Sequence, residues 1–524
     1  MQVRRTSSAV EIAVVMAFCA FLFFFGLGSF GLVGADEPRY AQIAREMLAR
    51  HDWVTPVLNG AAWLEKPALY YWGAMVSYSV FGVSDWAARV PAAFMTTLMV
   101  LAGYGFMRRF RPGSQVDAAL ITASLAGVIG FARAASTDMP LTSMFTIGMF
   151  AWYAWYETGW KRFLVVFYVF MALGTLAKGP VSPFLAALII VVFAAVRRDW
   201  ALVPRTLWWP GIVAFLAVAL PWFVLVQKAN PQFVRVFIFE HNLARYGSNM
   251  FRHSQPFWYF GPVLLLGLLP WTVLAIAAFV RACKRGVGER SSFELFFGLW
   301  AVLPVIFFSF SGSKLPGYIL PAVPPFAILL AEYLWRRMEE GDEPRLWLSV
   351  LHALAGATVL AFALLSNYFI LRMRIPPTAR WIVVVAGVIT FAAMTAAIYG
   401  TGLKAFRTAT LMPLVLGVAF VIKFASPAID AKDSQRPVAI ALNEMKVPKV
   451  AVFGARREVE HGLNFYRNQP IANYERGEIP AEAHVVVTPA RYHDRLQLMV
   501  PTRTVSATGG FSAQNLEFYL VGAK

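Results

Sequence analysis

Residues 10–33 read VEIAVVMAFCAFLFFFGLGSFGLV and run directly into Gly34-Ala35-Asp36-Glu37-Pro38-Arg39-Tyr40-Ala41. The apolar run is long enough to cross a bilayer. Arg4 and Arg5 before it resemble the start of a signal peptide, but no clean small-x-small cleavage site follows, so the segment is expected to stay as a first membrane helix. Comparable stretches begin near Ala87, Val116, Met139, Phe163, Val181, Leu207, Phe257, Phe293, Tyr318, Leu346, Trp381 and Ala405. The expectation is a polytopic α-helical membrane protein of about thirteen spans.

Composition supports that reading. Of 524 residues, 58% are hydrophobic and 15% charged, and the mean hydropathy is +0.58. A water-exposed surface cannot be built from such a chain. The formal charge of +18 would suggest nucleic acid in a soluble protein, but here the basic residues sit in clusters between apolar runs, which excludes that class. The two cysteines, Cys19 and Cys283, differ in environment and predict no disulfide.

Charge also orients the chain. With the N-terminus inside, alternate connections carry Arg108/Arg109/Arg111, Lys161/Arg162, Arg197/Arg198/Arg205, Arg281/Lys284/Arg285/Arg290, Arg336/Arg337/Arg345 and Lys404/Arg407, as cytoplasmic loops do. The remaining connections face out and include two long loops, 34–85 and 227–256. Residues 1–425 thus form the membrane domain. Residues 426–524 mix charges with β-type runs at 449–453, 484–488 and 516–521 around a helix near 463–467, a small soluble α/β domain on the outer side. Gly509-Gly510 reads there as a turn. No internal repeat stands out.

Six outer segments carry the polar chemistry. Asp36-Glu37-Pro38-Arg39 opens a segment with Pro38 where a first helical residue belongs, so Asp36 alone could be a helix cap. Leu64-Glu65-Lys66-Pro67 adjoins an aromatic cluster, where the bland alternative is an interfacial anchor with a snorkelling lysine. Arg133-Ala134-Ala135-Ser136-Thr137-Asp138 brings a second acid to a membrane hairpin, again with a cap as the alternative. Lys178-Gly179-Pro180, Glu240-His241-Asn242-Leu243-Ala244-Arg245 and Ser313-Lys314-Leu315-Pro316-Gly317-Tyr318 complete the set. Each alone is weak; together they lie on one predicted face.

An enzyme forming glycosidic bonds on that face has no nucleotide-sugar supply and needs an activated sugar delivered through the bilayer, as a polyprenyl phosphate would deliver it. When the sugar leaves, negative charge grows on the carrier phosphate, so cations such as Arg39, Lys66, Arg245 and Lys314 stabilise the transition state more than the ground state. Asp36 or Asp138 would take a proton from an acceptor hydroxyl or orient the nucleophile. A tight His/Asp cluster of ligand type is missing from the sequence, so no metal site and no required cofactor is assigned, and a bound divalent ion is left open.

The six motifs, in this order, resemble the bacterial members of the protein O-mannosyltransferase superfamily with the GT-C fold, and above all the lipid A aminoarabinose transferases. The resemblance covers the chain through about residue 425. It implies a thirteen-helix membrane domain with juxtamembrane helices in the first outer loop and a small periplasmic domain. It further implies Asp36 and Asp138 as catalytic acids, Lys66, Arg39, Arg245 and Tyr318 as ligands of the carrier phosphate, and inversion at the sugar without a catalytic metal. Glu65, His241, Lys178 and Lys314 complete the expected substrate-binding residues. The expected partners are a polyprenyl-phosphate sugar, membrane lipid and an acceptor; arginines of the outer loops (Arg235, Arg245, Arg252, Arg372, Arg374, Arg380) favour anionic lipid A over protein or other glycan hydroxyls. A monomer in the bacterial inner membrane, active on its periplasmic side, is expected. The rival classes are a lipid or sugar flippase, which would place charges at mid-membrane and show repeated halves, and an oligosaccharide ligase or polymerase using a diphosphate carrier.

Overall fold

The computed structural model describes residues 7–244, 255–288, 291–340, 346–401 and 403–524. The first span begins at Ser8–Cys19, capped by Ser7, and continues as a wider turn over Ala20–Phe24. Its last carbonyls face no further helical turn and need donors. Two arginines supply them. Arg133 donates to the carbonyls of Leu22, Phe25 and Gly26, and Arg89 to those of Leu27, Phe30 and Gly31. Arg133, which the sequence places beside Asp138, therefore serves the exit of the first span.

Among the described residues, seven helices are long and apolar enough to cross a membrane, or nine if each of two sharply bent pairs counts as one span. The bent pairs are Gln115–Ser124 with Ala126–Ala132 and Phe257–Gly267 with Thr272–Gly286. The expected count of about thirteen is not reached on this measure. Ser8–Phe24 and Val181–Arg197 are apolar but shorter. Asp138–Thr158 and Lys161–Lys178 fall outside both sets, the former for a physical reason. Every residue of the former from Met139 to Trp155 is buried, so its neighbours are protein rather than lipid and it carries Thr142, Ser143 and Thr146. Trp152, Tyr153, Phe296, Phe297 and Trp300 pack there with ring centroids 5.1–6.1 Å apart. Several basic connections meet acids on neighbouring helices, Arg111 with Glu332, Arg285 with Glu294 and Arg281 with Glu340.

The first outer loop folds onto the bundle as the helix Asp36–Ala49, a short hairpin of β1 (Val57–Leu58) and β2 (Ala61–Ala62), and the helix Leu69–Phe81. Helix Asp36–Ala49 is amphipathic, with Tyr40, Ala41, Ile43, Ala44 and Met47 buried against Tyr70, Tyr71 and Tyr78.

The C-terminal part is a five-stranded mixed sheet in the order β4 (Ala472–Asn473), β3 (Val450–Val452), β5 (His484–Pro489), β7 (Leu516–Val521), β6 (Val505–Phe511). β3 pairs in parallel with β4 and β5, and β7 antiparallel with β5 and β6. The three expected β runs coincide with β3, β5 and β7. Gly509-Gly510, read as a turn, instead lies inside β6 at a register shift between Ala507 and Gly509, where a bulge accommodates glycine as readily as a turn does. The last span runs on through Val421–Ala425 into Ser426–Asp433, so helix crosses the expected boundary at 426.

The sheet's helices dock on the first outer loop. Helix Arg457–Arg467 packs along Asp36–Ala49. Tyr466 accepts from Leu32 N at 2.6 Å and donates to Asp85 at 2.7 Å; Arg436 pairs with Asp85 at 2.8 Å and Asp430 at 2.7 Å. Asp430 accepts from Gly31 N at 2.8 Å. A side chain at Gly31 would collide with Ser434 and Tyr466, so glycine permits this close approach.

Candidate active site

The end of the bundle onto which residues 34–85 fold brings two acid–cation pairs toward each other. Asp36 opens its helix without capping it; its carboxylate instead accepts from Arg39 Nη2 at 2.6 Å. The pair is asymmetric: the Asp36 side chain is 58% exposed and that of Arg39 only 6%. The acid is open to solvent while the guanidinium is buried, over the rings of Tyr40 and Trp63 at 5.1 and 5.0 Å. Burial works against the Arg39 charge, but Tyr40, Asp36 and Glu65 outweigh it and hold the guanidinium protonated.

Asp138 begins its helix, and Lys178, the last residue of Lys161–Lys178, hydrogen-bonds its carboxylate. Both are mostly buried. Lys178 also lies 4.9 Å from the centroid of the Tyr318 ring. The Lys314–Tyr318 segment closes over Asp138 so tightly that a Cβ at Gly317 would stand 2.6 Å from its Oδ1. Tyr40 links the two pairs: burial first, then the charges of both Asp36 and Asp138, push its hydroxyl pKa upward.

Of the expected residues, the structure thus gathers Asp36, Arg39, Glu65, Asp138, Lys178 and Tyr318. Lys66 sits half-buried in the turn before Leu69–Phe81. Lys314 is buried, and its ammonium donates to the carbonyl of Ser311 in its own loop at 2.7 Å. Arg245 and the side chain of His241 lie outside the described residues. Among the described residues no group of three or more His, Cys, Asp or Glu is placed to hold a metal ion.

Sequence reasoning passed over Glu37. It is buried, pairs with Arg89 at 2.7 Å, and accepts from Val33 N at 2.8 Å and Ala135 N at 2.7 Å, so one carboxylate ties the Asp36 helix to the strand of chain that leads into Asp138. Its signal was present as an acid beside Asp36, but nothing local distinguishes which of two adjacent acids turns inward. Trp63, Tyr71 and His461 also border this region.

A family model described as dolichyl-phosphate-mannose-protein mannosyltransferase matches residues 8–237. An undecaprenyl phosphate-alpha-4-amino-4-deoxy-L-arabinose arabinosyl transferase of Pseudomonas aeruginosa (strain UCBPP-PA14) is 32% identical over 326 residues, 60% of this chain. The chain spans 58% of that relative's length. The protein of the same name from Serratia proteamaculans (strain 568) is 28% identical over 501 residues, 89% of this chain and 88% of the relative. The crystal structure of ArnT from Cupriavidus metallidurans bound to undecaprenyl phosphate has a TM-score of 0.79 at 24% identity, covering 98% of each chain.

Fold and helices define a multi-pass membrane protein of the GT-C type. Within that class the chain is similar, over part of its length, to the mannosyltransferase family model and to transferases carrying the aminoarabinose name, the likeness its motifs led one to expect.

Proposed function

We propose that the chain is a glycosyltransferase that moves a sugar from a polyprenyl-phosphate donor to lipid A at the periplasmic face of the bacterial inner membrane. The observation that carries this reading is the pairing of an exposed acid over a buried cation, Asp36 on Arg39, beside a second acid–cation pair, Asp138 and Lys178, at one end of the bundle. A lipid-borne phosphate at that level meets fixed positive charge from Lys178 and Arg39, with Lys66 and Tyr318 on the neighbouring turns.

The reaction breaks the bond between the sugar's anomeric carbon and the carrier phosphate oxygen and forms one to an acceptor oxygen. The carrier leaves as a phosphate monoester with added negative charge, which the preset cations stabilise without reorganising at that moment. A lipid A phosphate is already largely ionised at neutral pH, its second pKa being about 6. It attacks without a general base, and Asp36 then orients the nucleophile and balances Arg39. A hydroxyl acceptor would hand its proton to Asp36. Entry of the acceptor from the opposite side of the sugar to the leaving phosphate inverts its configuration.

Purified protein in lipid bilayers, supplied with undecaprenyl phosphate-linked 4-amino-4-deoxy-L-arabinose and lipid A, tests this. Wild type should form modified lipid A, and Asp36→Asn or Lys66→Ala should abolish turnover with expression intact. Full activity in both variants would remove the site assignment. Mass spectra of lipid A and of glycoproteins from cells with and without the gene test the acceptor: unchanged lipid A with a missing protein glycan would overturn it.

A further inference from the structure

Trp63 Nε1, Tyr71 Oη, Arg39 Nε and His461 Nε2 are buried and have no hydrogen-bond partner among the described residues. A buried N–H or O–H left unpaired is costly, so several around one spot mark a place that a ligand fills. They are joined by geometry. Arg39 lies over the Trp63 ring at 5.0 Å, and the Tyr71 hydroxyl feels Tyr40, Arg39, Glu65 and Asp36. His461 arrives from the C-terminal domain. Its helix, Arg457–Arg467, packs on the Asp36 helix, and Asn464 on the same face donates to Asn59 in the turn of the β1–β2 hairpin at 2.8 Å; that hairpin leads directly to Trp63. His461 is close enough to Arg39 for the guanidinium to act on it, and burial with that charge keeps the imidazole neutral.

The composition of the spot selects the ligand. A phosphate calls for cations, and the groups left unpaired beside Arg39 are a neutral indole N–H, a phenol and a neutral imidazole, with the carboxylates of Asp36 and Glu65 nearby. A sugar ring wants a mixture of donors and carboxylate acceptors beside aromatic faces, since each hydroxyl both gives and receives a hydrogen bond. We propose that His461, carried in by the C-terminal domain, hydrogen-bonds the sugar of the donor at a subsite shared with the Trp63 indole N–H and the Tyr71 hydroxyl, making that domain part of the substrate-binding machinery. The inference rests on the donor reading above.

The test measures binding of two lipids to the full-length protein in bilayers: undecaprenyl phosphate linked to 4-amino-4-deoxy-L-arabinose, and undecaprenyl phosphate alone. His461→Leu removes the imidazole, and Trp63→Phe removes the indole N–H with its five-membered ring while keeping one aromatic face toward Arg39. Each should weaken the sugar-bearing lipid about ten-fold, the worth of one hydrogen bond to a buried group, and leave undecaprenyl phosphate unchanged. His461→Gln, which keeps an N–H of similar reach, should restore most of the loss. Unaltered binding of the sugar-bearing lipid in His461→Leu and Trp63→Phe overturns the proposal, and so does equal weakening of both lipids. If wild type binds neither lipid, the donor reading itself fails and takes this subsite with it. Should His461→Leu not fold, Trp63→Phe and His461→Gln decide: Trp63→Phe with wild-type preference for the sugar-bearing lipid overturns the proposal.

Discussion

Glu37 and Arg89 form a buried, two-point ion pair, Arg89 Nη2 and Nε lying 2.7 and 3.1 Å from the two carboxylate oxygens. Neither partner has spare capacity. Glu37 also receives the backbone N–H groups of Val33 and Ala135, and Arg89 also gives to three carbonyls of the chain leaving the first span. Removing one charge strands the other in a dry interior, so Arg89→Met should destabilise the protein by about 3–5 kcal/mol. Thermal unfolding in detergent measures this. Glu37→Leu combined with Arg89→Met should cost less than the sum of the two single changes, because no uncompensated charge remains.

Gly317 offers a test of position without any change of charge. A methyl there would stand 2.6 Å from Asp138 Oδ1 and must displace the carboxylate, the Lys178 ammonium bound to it, or the loop. If this pair acts on the donor, Gly317→Ala should lower transfer by about 100-fold, the order expected of an ångström-scale misplacement. The melting temperature should move little, since the methyl lies at the end of the bundle rather than in its centre. Lys178→Met, which removes the cation outright, should lower transfer at least as far. Wild-type rates in both would show that Asp138 and Lys178 are only a helix cap and its counter-ion.

Much of the membrane architecture was legible because spanning helices must be apolar over a fixed length, and that rule needs no partner. It fails where helices are wrapped by protein. Asp138–Thr158 is surrounded on every side, so it is free to carry threonine, serine and tyrosine and does not register as apolar. In the site, acids and bases next to Pro and Gly were legible as motifs, since each stands at a helix end. Arg133 shows the limit of that signal: it shares a motif with Asp138, yet its guanidinium reaches back to the first span. His461 was invisible, because nothing in a soluble helix of ordinary composition tells which side chain will meet a loop more than 400 positions earlier, as Asn464 does with Asn59.

Acid should loosen the C-terminal domain. His461 is lowered to about 3, by burial first and then by Arg39, Arg457 and Arg476, and His484 is lowered chiefly by burial. In the unfolded chain each would titrate near 6.5. Between those values the unfolded state binds more protons than the folded one, so stability rises with pH across the window and is lost as pH falls from about 6.5 toward 3. Protease release of the C-terminal domain, followed from pH 7 to pH 4.5, should accelerate as the pH drops. His461→Gln, with nothing to titrate, should flatten that slope relative to wild type; an identical slope would mean that other groups govern the acid response.

Tyr466 holds the chain just ahead of Asp36 with a single hydroxyl, accepting from Leu32 N at 2.6 Å and donating to Asp85 Oδ1 at 2.7 Å. Tyr466→Phe deletes that oxygen and keeps the ring. Leu32 N–H, at a buried position, then loses its acceptor, which costs about 1–3 kcal/mol. The loss falls on the contact between the C-terminal domain and the first outer loop rather than on the membrane bundle, so global unfolding should shift less than local opening does. Hydrogen exchange at residues 31–33 should quicken by roughly ten-fold or more, and exchange within Asp138–Thr158 should hold. Transfer should slow as well, because Asp36 and Arg39 stand on the helix that this segment positions. Unchanged exchange at residues 31–33 in Tyr466→Phe would show that Asp430 on Gly31 and Arg436 on Asp85 suffice to hold the segment, and that the hydroxyl adds nothing to the clamp.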